Sequence, residues 1–175
     1  MNNEYVDNEY VEEQETQDYQ KLIQFNKKLK LANLKPAPKG HYCDAFGMKN
    51  DNKVNIELKT RLQELIIAGN AYKIKGKLEN GGEYVDDSLL IEAHKVADLL
   101  LDYEILGIVP LYVNFLDNCT IVFNLSKLRH RPRKKHIRAF SKWKDSFEIQ
   151  DRLCLSLKDA YIYNNKYELI YKNYE

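Results

Sequence analysis

The stretch YCDAFGMKNDNKVNIELKTR, residues 42–61, constrains this chain more than any other. Residues alternate in character over Tyr42–Met48, turn formers fill Lys49–Lys53, and alternation resumes over Val54–Lys59, which is the pattern of a β-hairpin. In the second strand Val54, Ile56 and Leu58 share one face, and Asn55, Glu57 and Lys59 share the other. Asp44 stands on the partner strand, so two carboxylates and one ammonium converge at one end of the hairpin. Two acids held that close repel each other unless a divalent cation sits between them. The arrangement carries a parity condition. Asp44 shares a face with Glu57 and Lys59 only if the numbers of paired residues sum to an odd value, as when 44 pairs with 57 or with 59. An even turn or a bulge meets that condition. A second acid-x-Lys, Asp51-Asn52-Lys53, falls in the polar turn, where side chains are held too loosely for catalysis, and it is set aside.

Asp44 followed by Glu57-Leu58-Lys59 on successive strands resembles the PD-(D/E)XK nuclease superfamily, with Cys43 where the motif has proline. The likeness extends, as an order of helix, strands, helix and strands, over about Asp18–Leu125. It implies a restriction-endonuclease-like core of α+β or α/β class: a mixed central β-sheet flanked by helices, here with extra C-terminal strands. It also implies a metal-dependent DNase, including a Holliday-junction-resolvase-like form acting on branched DNA. In that reading Asp44, Glu57 and the backbone carbonyl of Leu58 hold Mg²⁺ or Mn²⁺, and Lys59 orients the attacking water or offsets charge on phosphorus. Lys95, on the following helix, is the further catalytic candidate, ahead of His94 and Glu92. Glu15 is the nearest first-helix acid, with Glu12 and Glu13 behind it. DNA is the partner, and a resolvase would form a homodimer to cut two strands symmetrically. Two alternatives stay open. One is a nuclease-fold protein that no longer cuts and serves as a DNA-binding or structural assembly component. The other is a small interaction domain in which E-L-K is accidental.

With 175 residues, 44% hydrophobic and 30% charged, the chain is expected to form a single domain over 15–175, preceded by an acidic flexible tail, 1–14. No apolar run reaches membrane-spanning length, and the polar start reads as neither signal nor transit peptide. Cys43, Cys119 and Cys154 are scattered without a C-x-x-C, which favours a reducing compartment: the cytoplasm, or the host cytoplasm if phage-encoded. His41, His94, His130 and His136 form no metal-ligand spacing. Lys-, Asn- and Tyr-rich usage suggests an AT-rich genome of a bacterium or its phage.

The net charge of +1 conceals a strong asymmetry: residues 1–18 carry seven acids and no Lys or Arg, and residues 127–144 carry nine Lys or Arg and no acid. The basic segment, with Phe140 and Trp143 among its cations, reads as a loop beside the site. There Arg129, Arg131, Arg133, Lys134, Lys135 and Arg138 would neutralise phosphates and release counterions.

Elsewhere the periodicity predicts a helix over about Glu15–Ala32, closed off by Pro36 and Pro38. A short helix is expected over Thr60–Ala68, and a small hairpin over Ala71–Leu78 and Glu83–Val85. A helix capped at 86–88 should end at Gly107. Strands are expected at Ile108–Leu116 and Cys119–Leu125, with Pro110 at a strand start or an edge and Tyr112, Asn114 and Phe115 in the core. The end should pair Asp151–Tyr163 with Lys166–Tyr171 through Asn164-Asn165.

Overall fold

The computed structural model describes residues 4–78, 81–141 and 146–172. Helix α1 (Glu4–Leu29) leads into strands β1 (Ala32–Pro36), β2 (Ala45–Lys49), β3 (Asn52–Thr60), β4 (Glu64–Ala68), β5 (Ala71–Lys77), β6 (Glu83–Asp86) and β7 (Ser88–Glu92). Helix α2 (Ala93–Leu106) follows, then β8 (Val109–Phe115), β9 (Cys119–Asn124), β10 (Arg133–Ser141), β11 (Ser146–Ser156), β12 (Ala160–Asn164) and β13 (Leu169–Lys172). The architecture is mixed α+β with a central sheet flanked by helices. That sheet has seven strands in the order β1-β2-β3-β8-β9-β12-β13. Among the described residues only the β3–β8 pair is parallel, and β4 to α2 make its crossover. Two three-stranded sheets, β10-β11-β7 and β4-β5-β6, complete the fold. No helix among the described residues is long and apolar enough to cross a membrane.

The alternation in β3 and β8 divides the core in two. Val54, Ile56 and Leu58 join Leu111, Val113 and Phe115 beneath α1, which contributes Leu22, Phe25 and Leu29. Tyr112, Ile121 and Phe123 lie in the second core with Val96 and Leu99 of α2 and Leu155 of β11. Both faces of β3 are therefore covered, and Asn55 and Glu57 are buried along with their apolar neighbours. Tyr112, Asn114 and Phe115 are buried as expected.

The hairpin forms through a two-residue turn. Lys49 pairs with Asn52, and Asn50 and Asp51 take φ of 48° and 64°, the left-handed pair of a type I′ turn. Ala45 pairs with Ile56, and the Asp44 N–H donates to the Ile56 carbonyl at 2.9 Å. The pairing numbers sum to an odd value, as the parity condition asks, and Asp44 lies just before the paired run, with its N–H on the carbonyl of the residue that Ala45 faces. Asn-Gly is the preferred pair for this turn, so Asp51→Gly is expected to raise stability by about 0.5 kcal/mol. A matching shift of the urea midpoint checks this; a lowered midpoint contradicts it.

Several elements differ from the sequence reading. The first helix starts at Glu4, inside the segment read as a tail. Residues 64–68 form β4 rather than a helix, because Leu65, Ile66 and Ile67 pair with Ile74, Lys73 and Tyr72 in a sheet. Helix α2 starts at Ala93, because residues 88–92 are drawn into β7 by pairing with β11. Leu89 therefore packs from a strand. The basic segment is no loop: Arg133–Ser141 is strand β10, paired along its length with β11. The long C-terminal run breaks into β11 and β12 at Leu157–Asp159, a short 3-10 turn. At the last hairpin the Asn164 side chain accepts from the N–H groups of Lys166 and Glu168, both at 2.9 Å.

Candidate functional site

Glu57 is the centre of the site. It lies mid-strand, is 4% exposed, and points to the α2 face of the sheet. Its Oε1 accepts from the ammonium of Lys95, in the first turn of α2. Its Oε2 is buried and has no hydrogen-bond partner. Asp44 stands beside it, just before β2, and accepts the Leu58 N–H at 2.6 Å. α2 is tied to β3 by Asp102, which accepts from Tyr42 Oη and, at 2.8 Å, from Asn55 Nδ2. That polar lock sets the helix that carries Lys95.

The charges in this cluster do not balance. One ammonium faces two carboxylates, and burial removes the water that would screen them. Burial first, and then the Asp44 carboxylate, push the Glu57 carboxyl up to about 8; Lys95 pulls it down but is outweighed. Burial pulls the Lys95 ammonium down, but Glu57, Asp44 and Glu92 together hold it above the ordinary lysine range. The buried cluster thus takes up a proton and keeps an ammonium to offset its negative charge.

A cleft of about 620 Å³ opens in front of this cluster. Glu57, Lys59 and Lys95 form one wall, the loop from Pro36 to Asp44 another, and α1 residues from Gln14 to Tyr19 a third. Asp18 is the acid that α1 brings here. It accepts from Thr60 Oγ1 at 2.5 Å and from Gln14 Nε2 at 3.0 Å. Sequence reading chose Glu15 instead. The Glu15 and Glu12 side chains lie outside the described residues, and Glu13 is exposed. The signal for Asp18 was its phase: it stands four residues before Leu22 and seven before Phe25, on the buried stripe.

Cys43 lines the cleft too, with its sulfur 3.3 Å from His41 Nδ1. Burial and then Asp44 push its thiol up to about 12, which favours the protonated form. His94 is exposed, 3.6 Å from Glu92, and Glu92 pairs with Arg152 at 2.7 Å.

The fold therefore brings Asp44, Glu57, Lys59 and Lys95 to one cleft, but the metal-dependent reading does not survive. Among the described residues no group of three or more His, Cys, Asp or Glu could hold a metal ion. The expected set of Asp44, Glu57 and the Leu58 carbonyl fails for a local reason. Leu58 meets Asp44 through its N–H, and Lys95 already occupies Glu57. A hard divalent cation needs about six oxygen ligands, and this cluster supplies two acids with part of each already engaged. A Mg²⁺- or Mn²⁺-dependent nuclease or other hydrolase with this site is overturned by that finding.

The basic segment meets the rest of the protein at Asp159, which is buried and accepts the N–H of Arg129 at 3.2 Å and that of His130 at 3.0 Å. Arg129, Arg131, Arg133, Lys134 and Lys135 are all exposed. Three of them touch acids: Arg133 with Asp87 and Lys135 with Asp86, both at 3.4 Å, and Lys134 with Asp151 at 2.6 Å. The side chain of Arg138 and that of Phe140 lie outside the described residues, as does Trp143.

No protein-family model matches the chain, and neither the curated proteins nor the solved structures contain a match.

Proposed function

We propose that this protein is a non-catalytic, nucleic-acid-binding component built on a nuclease-like core. The observation that carries the reading is the Lys95–Glu57 contact, which puts a covalently attached cation where a catalytic metal would have to sit. Such a cluster keeps its buried charge satisfied without an exogenous ion. The binding surface is the run from Arg129 to Lys135. Arg129 and Arg131 make no ion pair among the described residues. The pairs at Arg133, Lys134 and Lys135 are exposed, and exposed ion pairs contribute roughly 0–1 kcal/mol each. Phosphates can therefore displace those acids at little cost. Exposed Leu101, Ile105 and Leu106 on α2 favour a second role, in assembly with another protein surface.

Fluorescence anisotropy on labelled duplex and branched DNA tests the reading, with and without Mg²⁺ or Mn²⁺. Binding is expected in about 50 mM salt, weakening steeply toward about 200 mM, with no cleavage. Arg129→Ala with Arg131→Ala should flatten the log–log salt slope by about 2. Metal-dependent cleavage abolished by Asp44→Ala would refute the non-catalytic reading, and an absence of binding at low salt would refute the nucleic-acid one.

A further inference from the structure

A second hollow, of about 220 Å³, lies against the same three side chains, Glu57, Lys59 and Lys95, and is bounded by β7, β10 and β11 rather than by α1. Its volume is below the usual range for drug-sized ligands, so its occupant is small. Four cationic side chains, Lys59, Arg61, Lys95 and Arg152, line it with two acids, Glu57 and Glu92. The excess is positive, which selects an anion.

Most of this charge is already committed. Arg61 donates to Asn114 Oδ1 at 2.8 Å, to Tyr112 Oη at 2.6 Å and to the Leu90 carbonyl, so it is a structural strut. Lys95 is bound to Glu57, and Arg152 to Glu92. Lys59 makes no hydrogen bond or ion pair among the described residues. Glu57 Oε2 is buried and unpartnered, two residues from Lys59 on the same face of β3. The hollow thus presents the ammonium of Lys59, with Arg152 on its wall bound to Glu92 and Gln150. A small anion answers this excess of positive charge.

We propose that this hollow binds a small oxyanion of the phosphate monoester class, held by Lys59 and by Arg152, which can turn to it from Glu92. Ile137 of β10 closes one side, so the extra C-terminal strands, not the core hairpin alone, complete the site. The inference does not depend on duplex binding by residues 129–135.

Calorimetric titration of the full chain with sodium orthophosphate, against sodium chloride at matched ionic strength, tests it. Binding at about 1 mM or tighter is expected for the native chain. Arg152→Gln, which removes the cation, and Ile137→Trp, which fills the hollow, should each weaken it by about tenfold or more. Two probes separate the sources: a short oligonucleotide with a terminal phosphate, and the same oligonucleotide without one. Tenfold tighter binding of the phosphorylated strand than of orthophosphate, about 1.4 kcal/mol, assigns the hollow to nucleic-acid ends. Equal affinity assigns it to free phosphate. No phosphate-specific heat at about 10 mM, or binding that survives both variants, overturns the proposal. Duplex affinity measured on the same variants tests the nucleic-acid reading separately.

Discussion

Lys95→Met is expected to destabilise the protein by about 3 kcal/mol at about pH 9 and by about 1 kcal/mol at about pH 5. Lys95 is the hydrogen-bonding partner of the buried Glu57. Without it, ionised Glu57 faces Asp44 with no compensating charge in a site that excludes water. The size of the loss depends on the proton. The Glu57 carboxyl is raised to about 8 when folded, against 4.5 as its ordinary value. The folded state therefore holds one more proton than the unfolded chain between those two pH values. Stability from this group is complete below the unfolded value and is lost as pH rises through about 8. In the acid limb Glu57 is neutral, and the variant loses only a hydrogen bond and some packing. In the alkaline limb it loses the partner of a buried charge.

Glu57→Gln is the complement. It removes the titrating group, so the stability that the native protein sheds between about pH 4.5 and about pH 8 should be retained. Combining Lys95→Met with Glu57→Gln should recover most of the loss at high pH, because the two side chains act as one unit. Urea unfolding at both pH values gives the comparison. A Lys95→Met penalty that is the same at both, or additive in the double variant, would show that the two groups do not share a proton as described.

Phe25→Ala should cost about 3–5 kcal/mol, the range for deleting a fully buried phenyl ring. Phe25 is 0% exposed and makes edge-on or tilted contacts with Phe115, Tyr163 and Tyr167, at centroid distances of 6.4, 5.0 and 5.3 Å. It is the middle anchor of α1, between Leu22 and Leu29. Those three residues carry most of the helix's buried apolar contact, so the cavity falls where α1 docks. A helix of 26 residues spans roughly 39 Å, and its stability rests on packing more than on propensity. Loss of docking also removes Asp18 and Gln14 from the cleft wall. Urea melts give the magnitude, and amide exchange in α1 locates the opening. A loss below about 1 kcal/mol would mean that the helix is held by something other than this stripe.

Local pattern was enough for the hairpin. Period-two alternation in residues 54–59 and a turn of Asn and Asp determined which side chains share a face, because each follows from backbone geometry within a few residues. The same holds for β8 and β9, whose runs of Val, Ile, Phe and Tyr admit little else. Asp44, Glu57 and Lys59 were legible as one cluster for that reason, whereas Lys95 was expected only from the family resemblance. What the cluster does was not legible. The pattern D…E-x-K says nothing about which atoms of Leu58 and Lys95 meet the two acids, and those contacts leave no metal site.

Tertiary pairing decided the rest. LQELII has the composition of a short helix, yet β5 recruits it as a strand. SLLIE continues a helical-looking run, yet β11 takes it into a sheet and delays α2 to Ala93. RKKHIRAF is charged enough to read as a loop, but its partner β11 supplies the backbone hydrogen bonds and Asp151 a local counter-charge. In each case the deciding contact is a pairing strand outside the segment itself, a hairpin neighbour for LQELII and RKKHIRAF and a distant strand for SLLIE, and propensity within the segment is too weak to oppose it. The amino-acid sequence alone determined the hairpin, its register parity and the charges brought to one face. Only the folded structure decided that Lys95, rather than a bound ion, would neutralise them, because that depends on where α2 packs across the sheet.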